Sequence, residues 1–153
     1  MAQEVMQLSF ADGVYNFKLT LHGIKEIQEK TGSGIGAVWK RLAASRLNFI
    51  GEDVGVPNEA EFKIEDIIEP IRQGLIGGGE GEADGDAVKV TAHVANRLIE
   101  AYIINEPLQT GWALAYAIVG GLIEGYSPPE ETESDKKKDE VTETETPKDT
   151  STT

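Results

Sequence analysis

The chain has 153 residues, no cysteine and a formal net charge of −13, from 14 basic and 27 acidic residues. This length favours one domain, and the missing thiols exclude disulfides and thiolate metal sites and suit a reducing cytoplasm. The negative charge argues against nucleic-acid partners and against anionic membrane surfaces, since both recruit basic segments. The first ten residues lack a basic region followed by an apolar run, so we expect no secretory signal.

The first predicted element is a β-hairpin. Apolar and polar residues alternate on both sides of Asp12-Gly13, a dipeptide that is typical of hairpin turns. The alternating apolar residues are Met6, Leu8, Phe10, Tyr15, Phe17 and Leu19. One face of this ribbon is therefore apolar, and another element must cover it, because an isolated two-stranded ribbon is marginal in water.

Two helices and a loop are predicted next. The first helix begins at Thr20 or His22 and stops at Gly32, and Ser33 is predicted to cap the second. Their inward residues are Leu21, Ile24 and Ile27 in the first helix and Ile35, Val38, Trp39 and Leu42 in the second. Glycine and proline then predict a loop around 51–58.

The middle of the chain predicts two more helices with an irregular connector. The third helix is expected over 64–76, with a kink or a late start at Pro70, because proline removes a helical hydrogen bond. The glycine-rich, acidic stretch 77–86 predicts a solvated connector without helix. Asp86 is then expected to cap a fourth helix over 87–104, which ends before Pro107.

The fifth helix, from about Leu108 to Gly125, is apolar nearly all round. Its longest apolar stretch has twelve residues, whereas a membrane span takes about 20. Such a helix is either central in the core or covered by a partner, and both readings stay open for Trp112. The candidate partner-binding residues are Leu108, Trp112, Leu114, Tyr116, Ile118 and Val119.

No motif indicates an enzyme, a cofactor or a metal. Gly32–Gly36 has glycines but lacks the spacing of a dinucleotide or phosphate loop. The acids of 77–86 fit only part of a calcium loop, because Thr91 stands where a bidentate acid is needed. His22 and His93 are isolated histidines without a nucleophile motif. We therefore expect a protein without catalytic, cofactor-binding or metal-binding residues.

The composition changes sharply after Tyr126. Residues 127–153 hold nine acids against four lysines and no Ile, Leu, Phe, Trp, Tyr or Met. Such a segment buries too little apolar surface to offset the entropy of ordering, which predicts disorder. The sequence thus predicts one globular domain over 1–126 and a charged tail over 127–153. The fold class expected is α+β, mainly α, with an N-terminal β-hairpin followed by about five helices.

The order of these parts resembles a family of phage proteins. The segments that carry the resemblance are Leu19–Gly32, Ile35–Leu42, Ile71–Gly79 and Pro107–Gly121, within residues 5–125. The most specific pieces are the Gly74–Gly79 block and the Pro107-Leu108 start of the last helix. Together they resemble the small tail proteins of siphophages and gene transfer agents that are grouped as tail assembly chaperones. The chain departs from that pattern in the loop over 48–57 and in its long tail.

The resemblance implies a non-enzymatic assembly role in the bacterial cytoplasm. Such chaperones bind the tape-measure protein and help tail-tube subunits to polymerise around it, without remaining in the finished tail. The alternative is a structural subunit of the tail tube, ranked second because two predicted strands are too few for a β-rich tube. Self-association of this chain stays open. A longer frameshifted product also stays open, because Lys136–Lys138 can be encoded by an adenine run.

Overall fold

The computed structural model describes residues 5–45 and 61–125. The predicted loop around 51–58 and the predicted disordered tail over 127–153 lie outside these residues. The strands are β1 (Met6–Phe10), β2 (Gly13–Phe17), β3 (Glu80–Ala83) and β4 (Asp86–Lys89). The helices are α1 (Leu21–Thr31), α2 (Ile35–Ala44), α3 (Ile64–Gly78), α4 (Ala92–Tyr102) and α5 (Leu108–Glu124). The predicted α+β class, with an N-terminal hairpin and five helices, is confirmed.

The predicted hairpin forms, but its turn lies one residue earlier than expected. Phe10 pairs with Gly13, so the two turn residues are Ala11 and Asp12, with Ala11 at φ 57°. Gly13 belongs to β2, where a Cβ atom would overlap the backbone carbonyl of Glu82 on β3. The glycine is therefore needed for close strand approach rather than for the turn itself.

The stretch predicted as an irregular connector is instead helix followed by a second hairpin. Helix α3 continues to Gly78, and β3 and β4 then join the first hairpin in an antiparallel sheet of order β1-β2-β3-β4. The turn between them is Asp84-Gly85, with both residues at positive φ, a conformation that this dipeptide favours. The predicted fourth helix is thus wrong over 87–91, and α4 begins at Ala92.

Glycines allow α3 to pack directly on β2. A Cβ atom on Gly77 or Gly78 would overlap the backbone carbonyl of Lys18 or Asn16, respectively. Lys18 also donates its backbone N–H to the carbonyl of Gly74 at 3.0 Å. The glycine-rich run that sequence patterning assigned to a connector therefore lets the helix and the sheet approach closely.

The helix caps agree with the sequence in part. Thr20 caps α1, because its Oγ1 accepts a hydrogen bond from the backbone N–H of Gly23 at 3.1 Å. Ser33 does not cap α2; the N-cap is Gly34, and Gln28 Oε1 accepts from the N–H of Ile35 at 2.9 Å. A side chain from the preceding helix thus replaces the expected local cap.

Helix α3 lies at the centre of the fold, between α1, α5 and β2. It starts at Ile64, without the late start that was one alternative for Pro70. Fully buried apolar side chains from several elements meet around it: Phe17, Ile27, Val38, Leu42, Ile67, Ile71, Leu75 and Val119. Arg41 joins α2 to the fully buried Asp66 through two hydrogen bonds of 2.7 Å. Such charge-assisted paired bonds fix the relative positions of the two helices.

Candidate functional site

Helix α5 begins at Leu108 and ends at Glu124, as the sequence predicts, and Pro107 occupies the N-cap. One of its faces packs on α2 and α3. The buried residues of that face are Gly111, Trp112, Ala115, Ile118 and Val119. Only Glu124 is charged within these seventeen residues, so the helix offers few groups that require water.

Trp112 is a core residue, which is one of the two alternatives left open by the sequence. Its side chain is 5% exposed, and its indole Nε1 donates to the backbone carbonyl of Leu42 at 2.9 Å. Tyr116 stacks on it with ring centroids 5.0 Å apart, and Trp39 stacks on Tyr116 at 4.9 Å. This aromatic stack joins α2 to the middle of α5.

The six predicted partner-binding residues therefore do not form one surface. Trp112, Ile118 and Val119 are buried in this chain's own core, so none of them can contact a partner in this conformation. The correction has a simple cause: a helix that is apolar all round must bury one face against its own domain before any other face is free. The remaining three, Leu108, Leu114 and Tyr116, are exposed or partly exposed.

Leu108 borders a small apolar cleft at the corner between α4 and α5, which we call the corner cleft. Its volume is about 180 Å³. Its lining consists of Ile64, Ile67, Ile68, Ile103, Ile104, Leu108 and Gly111. Three of these side chains are strongly exposed for their type: Ile64 at 43%, Ile104 at 57% and Leu108 at 48%. Exposed aliphatic residues grouped around a concave surface are typical of a site that binds another apolar group.

Leu114 borders a second concavity on the other side of the same corner, which we call the hairpin cleft. It measures about 480 Å³ and lies between the β1–β2 turn and the start of α5. Its lining is Ser9, Phe10, Ala11, Gly13, Tyr102, Ile103, Glu106, Thr110 and Leu114. Ile103 lines both clefts, so the two concavities adjoin at this side chain.

The segment from the end of α4 through α5 carries acidic but no basic residues, whereas Lys63, the N-cap of α3, directly precedes Ile64 of the corner cleft. Between Leu98 and Gly125 the sequence contains Glu100, Glu106 and Glu124 and neither Lys nor Arg. All three carboxylates belong to exposed residues. Among the residues that the structure describes, Glu106 is the only charged one in the lining of either cleft.

Sequence reasoning missed Ile64 and Ile104 as surface residues. Ile64 has helical spacing with buried residues of α3 and was expected to point inward. Ile104 was placed at the end of a helix, whereas α4 ends at Tyr102 and Ile104 belongs to the turn that follows. The signal available in the sequence was the adjacent pair Ile103-Ile104 directly before a proline-containing break, because two consecutive side chains seldom face the same core.

Within residues 5–45 and 61–125, no group of three or more His, Asp and Glu residues is arranged to hold a metal ion. Over the same ranges, no helix has both the length and the apolar character that a membrane crossing requires. Comparison of the chain with protein-family models, with curated proteins and with solved structures gives no match in any of the three.

Proposed function

We propose that this protein is a tail assembly chaperone of a phage or gene transfer agent that binds the tape-measure protein through the corner cleft. One observation carries the proposal: Ile64, Ile104 and Leu108 expose aliphatic surface around a concave site in a strongly acidic chain. Grooves of this kind accept the apolar side chains of an amphipathic helix. The order of sequence elements that resembles tail assembly chaperones supports the same partner.

The proposed mechanism is temporary burial of apolar surface in the host cytoplasm. Before the tube encloses it, a tape-measure chain exposes apolar stripes along its helices, and the cleft covers part of such a stripe. Each Å² of apolar surface removed from water contributes about 25 cal/mol, before the costs of association are subtracted. The net charge of −13 then repels neighbouring chaperone copies and keeps the assembly dispersed. No catalytic step is part of this role.

The proposal is tested by the pair of variants Leu108→Asp and Leu21→Asp. Leu108 is the first residue of α5 and Leu21 the first residue of α1, with exposures of 48% and 70%. An aspartate at either position also favours the helix, because it lies at the positive end of the helix dipole. The two variants therefore make the same change in the same local environment, and Leu21 lines neither cleft.

The measurement is co-purification of each variant with the tape-measure protein encoded beside it, followed by titration calorimetry. We expect Leu108→Asp to weaken binding at least tenfold and Leu21→Asp to leave it unchanged. Equal binding by both variants would exclude the corner cleft as the contact surface. A wild-type chain that does not bind the tape-measure protein at all would exclude the function.

A structural subunit of the tail tube is the second candidate, and one observation favours it. The sheet has four antiparallel strands rather than the two expected, and within the described residues the outer edges of β1 and β4 have no neighbouring strand. Such edges can pair with strands of another subunit. Quantitative mass spectrometry of purified particles beside the producing-cell lysate separates the candidates. Many copies per finished particle would favour the subunit, and abundance in the lysate alone would favour the chaperone.

A further inference from the structure

The corner cleft and the hairpin cleft adjoin, but their chemistry differs. The corner cleft is lined entirely by aliphatic residues and one glycine. The hairpin cleft adds the hydroxyls of Ser9 and Thr110, the carboxylate of Glu106 and the aromatic ring of Tyr102. Ile103 is common to the two linings, so the clefts meet at this residue.

The hairpin cleft has features that favour a cation. Glu106 is exposed and lines it, and within 5–45 and 61–125 no Lys or Arg lines either cleft to neutralise that carboxylate. Tyr102 is 38% exposed in the same lining, and its ring makes a T-shaped contact with Phe10 at a centroid distance of 6.5 Å. A guanidinium or ammonium group gains both from a carboxylate and from an aromatic face. The mixed lining therefore complements a Lys or Arg side chain, whereas the corner cleft complements an aliphatic one.

Two other occupants fit this combination poorly, whereas the chain's own segment 46–60, which contains Arg46, Leu47 and Phe49, has a similar apolar and basic character and is tested separately. Residues 127–153 of the chain have a single large aliphatic residue, Val141, and cannot fill a cleft lined by isoleucine and leucine. A second copy in a two-fold contact would bring the same surface against itself, so Glu106 and Glu100 would face acidic residues of the same kind. An apolar segment with basic flanks has neither disadvantage.

We propose that the segment bound here is an amphipathic helix that places an aliphatic side chain in the corner cleft and a Lys or Arg side chain against Glu106 in the hairpin cleft. This inference rests on the proposed function, since it specifies which part of a tape-measure protein the chaperone binds. It assigns the site a ligand class, namely apolar helical stripes with adjacent basic residues. The carboxylate of Glu106 repels acidic residues, so it disfavours stripes that acidic residues flank.

The experiment uses defined peptides and two charge variants of the full chain. The first peptide is an 18-residue helix (about five turns) with a leucine stripe and flanking arginines, and the second replaces each arginine by glutamine. Overlapping peptides of the tape-measure protein form the third probe. Binding to wild type, Glu106→Gln and Glu29→Gln is measured by fluorescence anisotropy at low and at high salt. Glu29 is an exposed acid on α1 that lines neither cleft, so it controls for the change in net charge.

We expect Glu106→Gln to weaken binding of the arginine peptide by roughly two- to fivefold, as for loss of an exposed ion pair. Glu29→Gln should leave that affinity unchanged. The glutamine peptide is expected to bind both variants equally, and high salt is expected to remove the difference between the peptides. Equal losses in the two variants would mean general charge attraction and would overturn the assignment. Circular dichroism of each variant confirms that the fold is retained.

The remaining outcomes separate this inference from the proposed function. Tape-measure peptides that need Leu108 but ignore Glu106 would overturn the ligand class and leave the function standing. An arginine peptide that needs Glu106, with no tape-measure peptide binding, would support the ligand class and exclude the function. Tighter peptide binding by Phe49→Ser would assign the cleft to the chain's own segment 46–60, and dimerisation abolished by Leu108→Asp would assign it to a second copy. Either of these two results would overturn the proposal.

Discussion

Two parts of α5 carry large apolar side chains in opposite environments. From Trp112 to Val119 the helix packs in the core, where α2 supplies a stacked ring and a carbonyl acceptor. At Leu108 the same helix starts exposed, beside a turn that also exposes Ile104. The composition of the helix is thus no guide to its contacts, because neighbouring elements decide which face is covered. Stability and binding can therefore be changed separately along one helix.

The largest expected effect is the loss of the buried indole. Trp112→Ala should lower the free energy of unfolding by about 3–5 kcal/mol, since it opens a cavity below Tyr116. It also leaves the carbonyl of Leu42 without the indole donor at 2.9 Å. Leu108→Ala should cost under about 1 kcal/mol, because that side chain is half exposed in the native state. Urea unfolding followed by circular dichroism measures both, and comparable losses would contradict the distinction between the two parts.

The size of this loss makes Trp112 unsuitable for a test of partner binding. The free energy of unfolding of a domain of this size is about 5–15 kcal/mol, so removal of the indole takes away a large fraction of the total stability. A charged substitution at Trp112 would therefore abolish binding by unfolding the chain, whatever the partner surface is. Leu108 is the position at which loss of binding can be interpreted.

A smaller effect concerns Tyr15, whose ring packs on Phe10 at the wall of the hairpin cleft. Its hydroxyl donates to Asp12 Oδ1 at 2.6 Å, and burial together with this carboxylate raises its pKa to about 12. In the unfolded chain the pKa is about 10, so the folded state holds the proton more tightly. The resulting stability is complete below about pH 10 and is lost as the pH rises to about 12.

The measurement is unfolding free energy against pH for wild type and Tyr15→Phe. Between about pH 10 and 12, the free energy of unfolding should fall with pH more steeply in wild type than in the variant, by up to about 1.4 kcal/mol per pH unit. Near neutral pH the variant should be less stable by about 1 kcal/mol, because Asp12 loses its donor. All other residues are the same in the two chains, so the difference isolates Tyr15. Parallel pH profiles would show that the hydroxyl is not held by Asp12 in solution.

The sequence predicted the helices and the first hairpin because their signals are local. Helical spacing and the Gly32 stop located α1, and alternation located β1 and β2. The second hairpin was missed because Glu80–Lys89 has little apolar alternation, so its acids and glycines matched a solvated connector. Its pairing depends on β2 as a neighbour and on glycines that permit close approach, which are properties of the assembled fold.

Of the six residues named from the sequence, only Leu108 and Leu114 line the two clefts, and Tyr116 belongs to the aromatic stack. The sequence left open whether α5 is buried in the core or covered by a partner, because a helix without a polar face contains no information about which side meets the core. Trp112, Ile118 and Val119 are buried because α2 and α3 lie on their side. The corner cleft arises where α3, the turn after α4 and α5 meet, and no single segment encodes that meeting.

The smallest expected effect compares two glycines inside α5. A Cβ atom on Gly111 would lie 2.8 Å from Cγ2 of Ile67 and 3.2 Å from Cγ2 of Ile103. A β-branched side chain yields little in a packed helix, so the clash should cost about 1–3 kcal/mol. Alanine has a higher helix propensity than glycine, which stabilises the folded state by about 1 kcal/mol. Gly111→Ala should therefore destabilise the protein by about 1 kcal/mol.

Gly120→Ala should have the opposite sign, although it makes the same change in the same helix. Its Cβ atom would lie 3.2 and 3.3 Å from the outer ring carbons of Trp39, a partly exposed side chain that can move by a few tenths of an ångström. The propensity gain of about 1 kcal/mol then exceeds the packing cost, and a small stabilisation is expected. Denaturant titration of both variants measures the difference. Equal destabilisation would mean that the aromatic stack is as rigid as the packing around Gly111, and the tight packing of α5 would then extend along its length rather than end at the corner.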